Sequence, residues 1–169
     1  MIVRETYLKQ IRGFYKSDLI KVLVGIRRCG KSVILQQIID ELKSNKIAND
    51  KHIIYLNFEY VENEHLQEYK ALNEFIKNKI VDSKTYYVFL DEIQNVNKFE
   101  KVVNSLRASI PNISIFITGS NSKLLSEELS SMLSGRYVLF NINPLSYSEY
   151  ISLTKKDAAD EKNFWDYAK

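Results

Sequence analysis

Gly25-Ile26-Arg27-Arg28-Cys29-Gly30-Lys31-Ser32 is the stretch on which the reading of this chain turns. It fits G-x-x-x-x-G-K-[ST] at every fixed position. A short β-rich run, Leu19–Val24, precedes it and helix-spaced apolar residues follow. Glycines let such a loop turn tightly, so that its backbone N–H groups face inward and hold phosphate oxygens. The following helix adds its positive N-terminal end at the same place. Lys31 is placed to reach the β- and γ-phosphates, and the Ser32 hydroxyl to ligate Mg²⁺. A chance match in a chain of this length is expected in fewer than about one sequence in a hundred. Nucleotide contacts are therefore expected from Gly25, Ile26, Arg27, Arg28, Cys29, Gly30, Lys31, Ser32 and Val33. Cys29, beside Arg27, Arg28 and Lys31, is expected to react as a thiolate in the empty loop and to be shielded once nucleotide binds.

Outward from the loop, apolar runs alternate with longer amphipathic ones. Lys31–Leu42 has helical spacing, with Val33, Ile34, Ile38 and Leu42 as one stripe. Ile53–Phe58 reads as a strand, and His65–Val81 as a helix with Leu72, Phe75, Ile76 and Ile80 on one face. Tyr86–Leu90 and Ile113–Thr118 are continuous apolar strands. Asn97 and Glu100 have the spacing of a helix cap between them. Ser122–Leu133 reads as a helix and Tyr137–Ile142 as a fifth strand. Ser146 and Glu149 have capping-box spacing after Pro144. Met1–Ser17 reads as a leading helix at the edge of the domain. Strands alternating with helices predict crossover units and a parallel sheet covered on both faces.

Tyr86-Tyr87-Val88-Phe89-Leu90-Asp91-Glu92 is an apolar strand that ends in two acids. Ligands of open α/β sheets gather at the carboxyl ends of strands. Asp91 is expected to hold Mg²⁺ with Ser32, and Glu92 to orient or deprotonate an attacking water. Alone, Asp-Glu after a strand is more often a turn or a cap; a complete phosphate loop upstream reverses those odds. Asn97-Lys98-Phe99-Glu100 imitates a guanine-reading motif but ends in Glu, so ATP is favoured over GTP.

Composition bounds the alternatives. The 169 residues, 45% hydrophobic and 27% charged, suit one soluble domain that buries roughly 70% of its unfolded surface. The net charge of +3 comes without a clustered basic stripe, so a nucleic-acid partner has no support of its own. One cysteine and two histidines exclude an internal disulfide and leave too few ligands for a typical structural zinc site. No run approaches the roughly 18 apolar residues of a membrane helix, so no membrane is expected and a cytoplasmic location is the simplest reading.

Gly25–Ser32, Asp91-Glu92-Ile93-Gln94, Thr118-Gly119-Ser120-Asn121-Ser122 and Gly135-Arg136 together resemble the AAA+ ATPases. More narrowly, they resemble a prokaryotic group that pairs this ATPase core with an uncharacterised C-terminal domain. The resemblance covers about residues 2–152. It implies a three-layer α/β P-loop NTPase fold, with a five-stranded parallel sheet in the order 5-1-4-3-2. It also implies a lead-in helix over 1–18, an ATPase core over 19–143 and a short helical tail over 144–169. A polar sensor for the attacking water is implied at Thr118 or Asn121, although Ser120, Asn121 or Ser122 would equally cap the following helix. Arg136 matches the position of an arginine finger that acts on a neighbour's ATP, which implies self-association or a partner protein. Such proteins add lid helices, for which Leu145–Lys169 leaves room for about two short ones carrying Phe164, Trp165 and Tyr167; the tail is expected to be the start of a truncated lid or C-terminal domain, the chain being a fragment, or else the lid comes from elsewhere. The activity implied is Mg-ATP hydrolysis coupled to movement. A slow-turnover ATP switch and a small-molecule kinase are the alternatives.

Overall fold

A computed structural model of the chain describes residues 2–120, 131–133, 135–157 and 160–168. Five strands form one sheet: β1 (Ile20–Val24), β2 (Ile53–Asn57), β3 (Tyr86–Asp91), β4 (Ile113–Gly119) and β5 (Tyr137–Asn141). All pairings are parallel and the order is β2-β3-β4-β1-β5, the expected order read from the other edge. β1, which leads into the phosphate loop, therefore lies between β4 and β5.

The alternation of side chains along each strand divides the core in two. One face carries Val22, Val24, Val88, Leu90, Ile115 and Ile117 under helices α3 (Tyr69–Lys79) and α4 (Phe99–Ser109). The other carries Leu23, Phe89 and Phe116 under α1 (Glu5–Arg12) and α2 (Lys31–Ser44). Phe89 and Phe116 stack with centroids 4.7 Å apart on that second face. Ile34, Leu35, Ile38, Ile39 and Leu42 of α2 are buried against it. Truncating one of these to Ala would cost about 2–5 kcal/mol.

Several expectations need correction. Val33 is not part of the buried stripe of α2; it is 37% exposed, at the mouth of the phosphate loop. The leading helix is shorter than expected, α1 covering Glu5–Arg12, and it packs on one face of the sheet: Leu8, Ile11 and Tyr15 are in the second core, with Tyr15 edge-on to Phe116 of the central strand β4. The helix expected from His65 is split into a 3-10 segment, Val61–Leu66, and α3. Glu68 is extended there and bridges to Asn97, which breaks the helical run. Asn97 consequently does not cap α4, whose first cap position is Lys98 in a left-handed conformation with no side-chain cap. The helix expected over Ser122–Leu133 lies outside the described residues, apart from 131–133.

Two short helices follow β5: α5 (Tyr147–Thr154) and α6 (Glu161–Ala168). The capping box expected at α5 is present in full: the Glu149 N–H donates to Ser146 Oγ, and the Ser146 N–H to the Glu149 carboxylate. Phe164 and Tyr167 of α6 find ring partners in Tyr147 and Tyr150 of α5, and Trp165 in Phe164. Among the described residues no helix is long and apolar enough to cross a membrane.

Candidate functional site

The loop between β1 and α2 is held tightly by its surroundings. A Cβ on Gly25 would lie 2.2 Å from the Ile142 carbonyl oxygen and 2.7 Å from Cys29 Sγ, so only glycine fits. Gly30 has φ +96°, which glycine alone adopts without strain. Arg28 reaches φ 67°, an uncommon left-handed value for a side chain of its size. Cys29 is buried among Leu23 and Ile34, beneath the loop. This corrects the expected thiolate reactivity: the thiol is sheltered before any nucleotide arrives, so its alkylation cannot report occupancy.

The loop walls a cleft of about 340 Å³, which is also lined by Val33, Glu59 and Glu92. Ile26, Arg27, Arg28, Ser32 and Val33 are exposed around it, and Arg27 pairs with Glu59 at 3.1 Å across the mouth. Lys31 is 3% exposed. Its ammonium donates to the Gly25 and Ile26 carbonyls at 3.2 Å each and lies 3.5 Å from Glu92 Oε1. A larger hollow of about 500 Å³ between α1 and α2 contains the paired Arg12 and Glu41 and none of the motif residues.

Parallel pairing sets the acids opposite polar partners. Asn57 is in register with Asp91, and both close the carboxyl ends of their strands. Asp91 is fully buried; its Oδ2 accepts from the Tyr55 hydroxyl at 2.9 Å and from Asn57 Nδ2 at 3.2 Å. Its Oδ1 accepts from the Thr118 hydroxyl. Thr118 Oγ1 in turn accepts the Glu92 N–H at 3.0 Å, which fixes the direction of the chain: amide to hydroxyl to carboxylate. Burial, together with the adjacent Asp91 charge, raises the Tyr55 hydroxyl above its ordinary range and keeps it a donor. Glu92 has φ 55°, and this left-handed turn swings its side chain away from the strand. Its Oε2 accepts from Ser120 Oγ at 3.2 Å and from Gln94 Nε2.

The fold thus brings Gly25–Val33, Asp91, Glu92 and Thr118 to one end of the sheet. Thr118 is fully buried with its hydroxyl engaged on both sides, so it orients the acids and does not face the cleft. Asn121 lies outside the described residues. Arg136 is exposed at the amino end of β5, where its backbone bonds Ile20 and Leu133. Five strand residues at about 3.3 Å each place it roughly 16 Å from the loop end of the sheet. It cannot reach the cleft of its own chain.

Sequence reasoning missed Tyr55 and Asn57. Their i, i+2 spacing at the end of a strand beside the acidic strand is the signal that was there to use. It also missed Arg4, whose guanidinium bonds the Cys29 carbonyl within the loop; a lone arginine near the start of a chain carries no such signal.

A family model described as an AAA domain matches residues 17–151. A Haemophilus influenzae protein described only as uncharacterised is 45% identical over 159 residues, 94% of this chain and 39% of the relative. Another, from Methanocaldococcus jannaschii, is 42% identical over 134 residues, 78% of this chain and 28% of that protein. The chain therefore spans well under half the length of these curated relatives. Among solved structures, the Aeropyrum pernix ORC1 protein in complex with DNA is similar with a TM-score of 0.66 and 13% identity, covering 92% of this chain and 49% of that one. AMPPCP-bound DnaA from Aquifex aeolicus is similar with a TM-score of 0.60 and 21% identity, covering 98% and 57%. These two likenesses show a shared fold. Matched over most of its length and carrying the Gly25–Ser32 loop, the chain belongs to the AAA domain family of P-loop ATPases.

Proposed function

We propose that the chain binds Mg-ATP at Gly25–Val33 and hydrolyses it, and that hydrolysis drives a conformational change in a partner or in a downstream part of the protein. The observation that carries this reading is the meeting of Lys31 and Glu92, 3.5 Å apart in a cleft walled by loop backbone. The Lys31 ammonium rests on two neutral carbonyls. Triphosphate oxygens are stronger, charged acceptors, so they draw the lysine off those carbonyls and off Glu92. Glu92, released, accepts the proton of an attacking water.

Ser32 and Asp91 are oxygen donors of the class magnesium takes, and a site of few carboxylates completed by phosphates suits that ion. Asp91 receives three hydrogen bonds, and a carboxylate has about four acceptor positions, so one is left for such contact. Held there, magnesium would supply positive charge against the phosphate oxygens. Asn121 remains the candidate for positioning the water. Arg136, remote from its own cleft, acts on a neighbouring subunit's nucleotide.

The test is phosphate release from Mg-ATP with no added acceptor. Steady release supports the hydrolase; no nucleotide binding at all overturns it. The bonds that Lys31, Gln94 and Ser120 make to Glu92 favour a second reading, a slow-turnover switch, whose mark is retained nucleotide with very slow release. A finger acting in trans contributes about 10³–10⁵ in rate. Mixing inactive Lys31→Ala with inactive Arg136→Ala should then recover part of the activity. Full activity of Arg136→Ala alone removes the finger from the proposal.

A further inference from the structure

The guanidinium of Arg4 is 3% exposed, and a cation so deeply buried is costly unless its donors are met. Nη1 donates to the Cys29 carbonyl at 2.9 Å and to the Asn143 carbonyl at 2.9 Å. Nε and Nη2 meet Glu149 Oε1 and Oε2 at 3.0 and 3.1 Å, and Nη2 reaches the Pro144 carbonyl at 3.3 Å. The Arg4 N–H goes to Gln37 Oε1 on α2 at 3.1 Å, and the Tyr7 ring lies 4.6 Å from the guanidinium carbon. One side chain thus joins the start of the chain, the phosphate loop and the first turn of α5.

We infer that Arg4 is a positioning residue for the phosphate loop, setting the Cys29–Gly30 peptide for phosphate and fixing the loop to α5 through Glu149. This rests on the nucleotide reading above. In a trans peptide the C=O and the following N–H point in opposite directions. Holding the Cys29 carbonyl on Arg4 therefore turns the Gly30 N–H away from Arg4. Gly30 lines the cleft, and Arg4 Nη1 lies 3.7 Å from where its Cβ would be, packed on the loop from outside. Glu149 neutralises Arg4, so the arginine acts through loop geometry and not through its own charge on the ligand. Burial alone would raise the Glu149 carboxyl; the bonds from Arg4 and the Ser146 N–H overcome it and hold it below its ordinary range, so Glu149 stays a carboxylate at neutral pH.

The experiment uses the full chain as wild type, Arg4→Lys and Glu149→Gln, with Mg-ATP and inorganic tripolyphosphate as ligands. Affinity is measured by calorimetry, thermal midpoint without ligand, and the Gly30 amide by NMR with glycine labelling, which gives only five signals to assign. Arg4→Lys should bind both ligands about tenfold more weakly, and Glu149→Gln about threefold. In wild type the Gly30 amide proton should move downfield on tripolyphosphate binding, and in Arg4→Lys it should move less. A purely structural arginine would lower the thermal midpoint and leave the folded protein's affinity and the Gly30 shift as in wild type; that result overturns the inference. Should Arg4→Lys fail to fold, Glu149→Gln decides on the same criteria. A wild-type chain that binds neither ligand overturns the nucleotide reading and this inference with it.

Discussion

Two lysines are buried at opposite ends of the same chain segment, and their surroundings differ in kind. Lys21, in β1, is fully buried at the amino end of the sheet, where its ammonium donates to the Ser17 and Leu19 carbonyls at 2.9 Å each and lies over the Phe116 ring. Burial lowers it to about 7, against a small opposing pull from Asp18. Lys31, just past the carboxyl end of β1, is as well hidden but faces a carboxylate and a cleft. Burial alone does not mark a functional cation. Lys21 is closed in by groups that nothing replaces, whereas each partner of Lys31 is one that phosphate oxygens can displace.

Predictions follow from the contrast, the largest effect first. Glu92→Gln keeps the shape of the partner of Lys31 but cannot accept a proton. Turnover should fall about 10²–10⁴-fold with Mg-ATP affinity nearly unchanged, read by phosphate release and calorimetry; wild-type turnover would remove Glu92 as the base. Lys31→Ala should weaken Mg-ATP binding about a hundredfold, which corresponds to about 2.8 kcal/mol. Lys21→Met should leave binding as it is, and a comparable loss there would break the contrast.

Thr118→Val keeps the volume and deletes the hydroxyl between Asp91 and the Glu92 amide. The buried N–H left unpaired should cost about 1–3 kcal/mol, and each kcal/mol lowers the thermal midpoint of a domain this size by about 2–4 °C. An unchanged midpoint would show that Thr118 does not tie the two acids together.

The last contrast concerns pH, with an effect comparable to that of Thr118→Val. The folded value of Lys21, about 7, lies below its ordinary 10.5. Below pH 7 the amine is charged in both states and the burial penalty is complete. Between 7 and 10.5 the unfolded chain holds more protons, so stability rises with pH, by at most about 1.4 kcal/mol per pH unit. Denaturant midpoints measured from pH 7 to about 9 should climb in wild type and climb less in Lys21→Met. Parallel curves would contradict an uncharged Lys21.

The sheet and the loop were legible because their signals are local: a fixed-spacing motif, apolar runs of strand length, and two acids at a strand end. What escaped needs distance. Arg4 and Glu149 are 145 positions apart, and neither residue alone announces the other. The hydroxyl of Thr118 read equally as a sensor, until the register of β3 and β4 set it between the acids. Asn97 failed as a cap because its backbone is engaged with Gln67 and Glu68, a tertiary contact that overrides local capping preference. Val33 matched the helical period, yet the first turn of α2 opens on the cleft instead of the core.

The place of β1 also governs when the protein can assemble. Its register partners lie far along the chain: Lys21 pairs with Phe116, 95 residues later, and Ile20 with Tyr137, 117 residues later. Parallel pairings at such separations make folding slow, since the loop must close before the contact repays it. At a synthesis rate of about 5–20 residues per second, the strand leading into the phosphate loop emerges roughly 6–23 s before its last neighbour. Until β4 follows, roughly 5–19 s after β1, β1 has no neighbour to pair with, and the cradle it carries is completed only when nearly all of the sheet has been made.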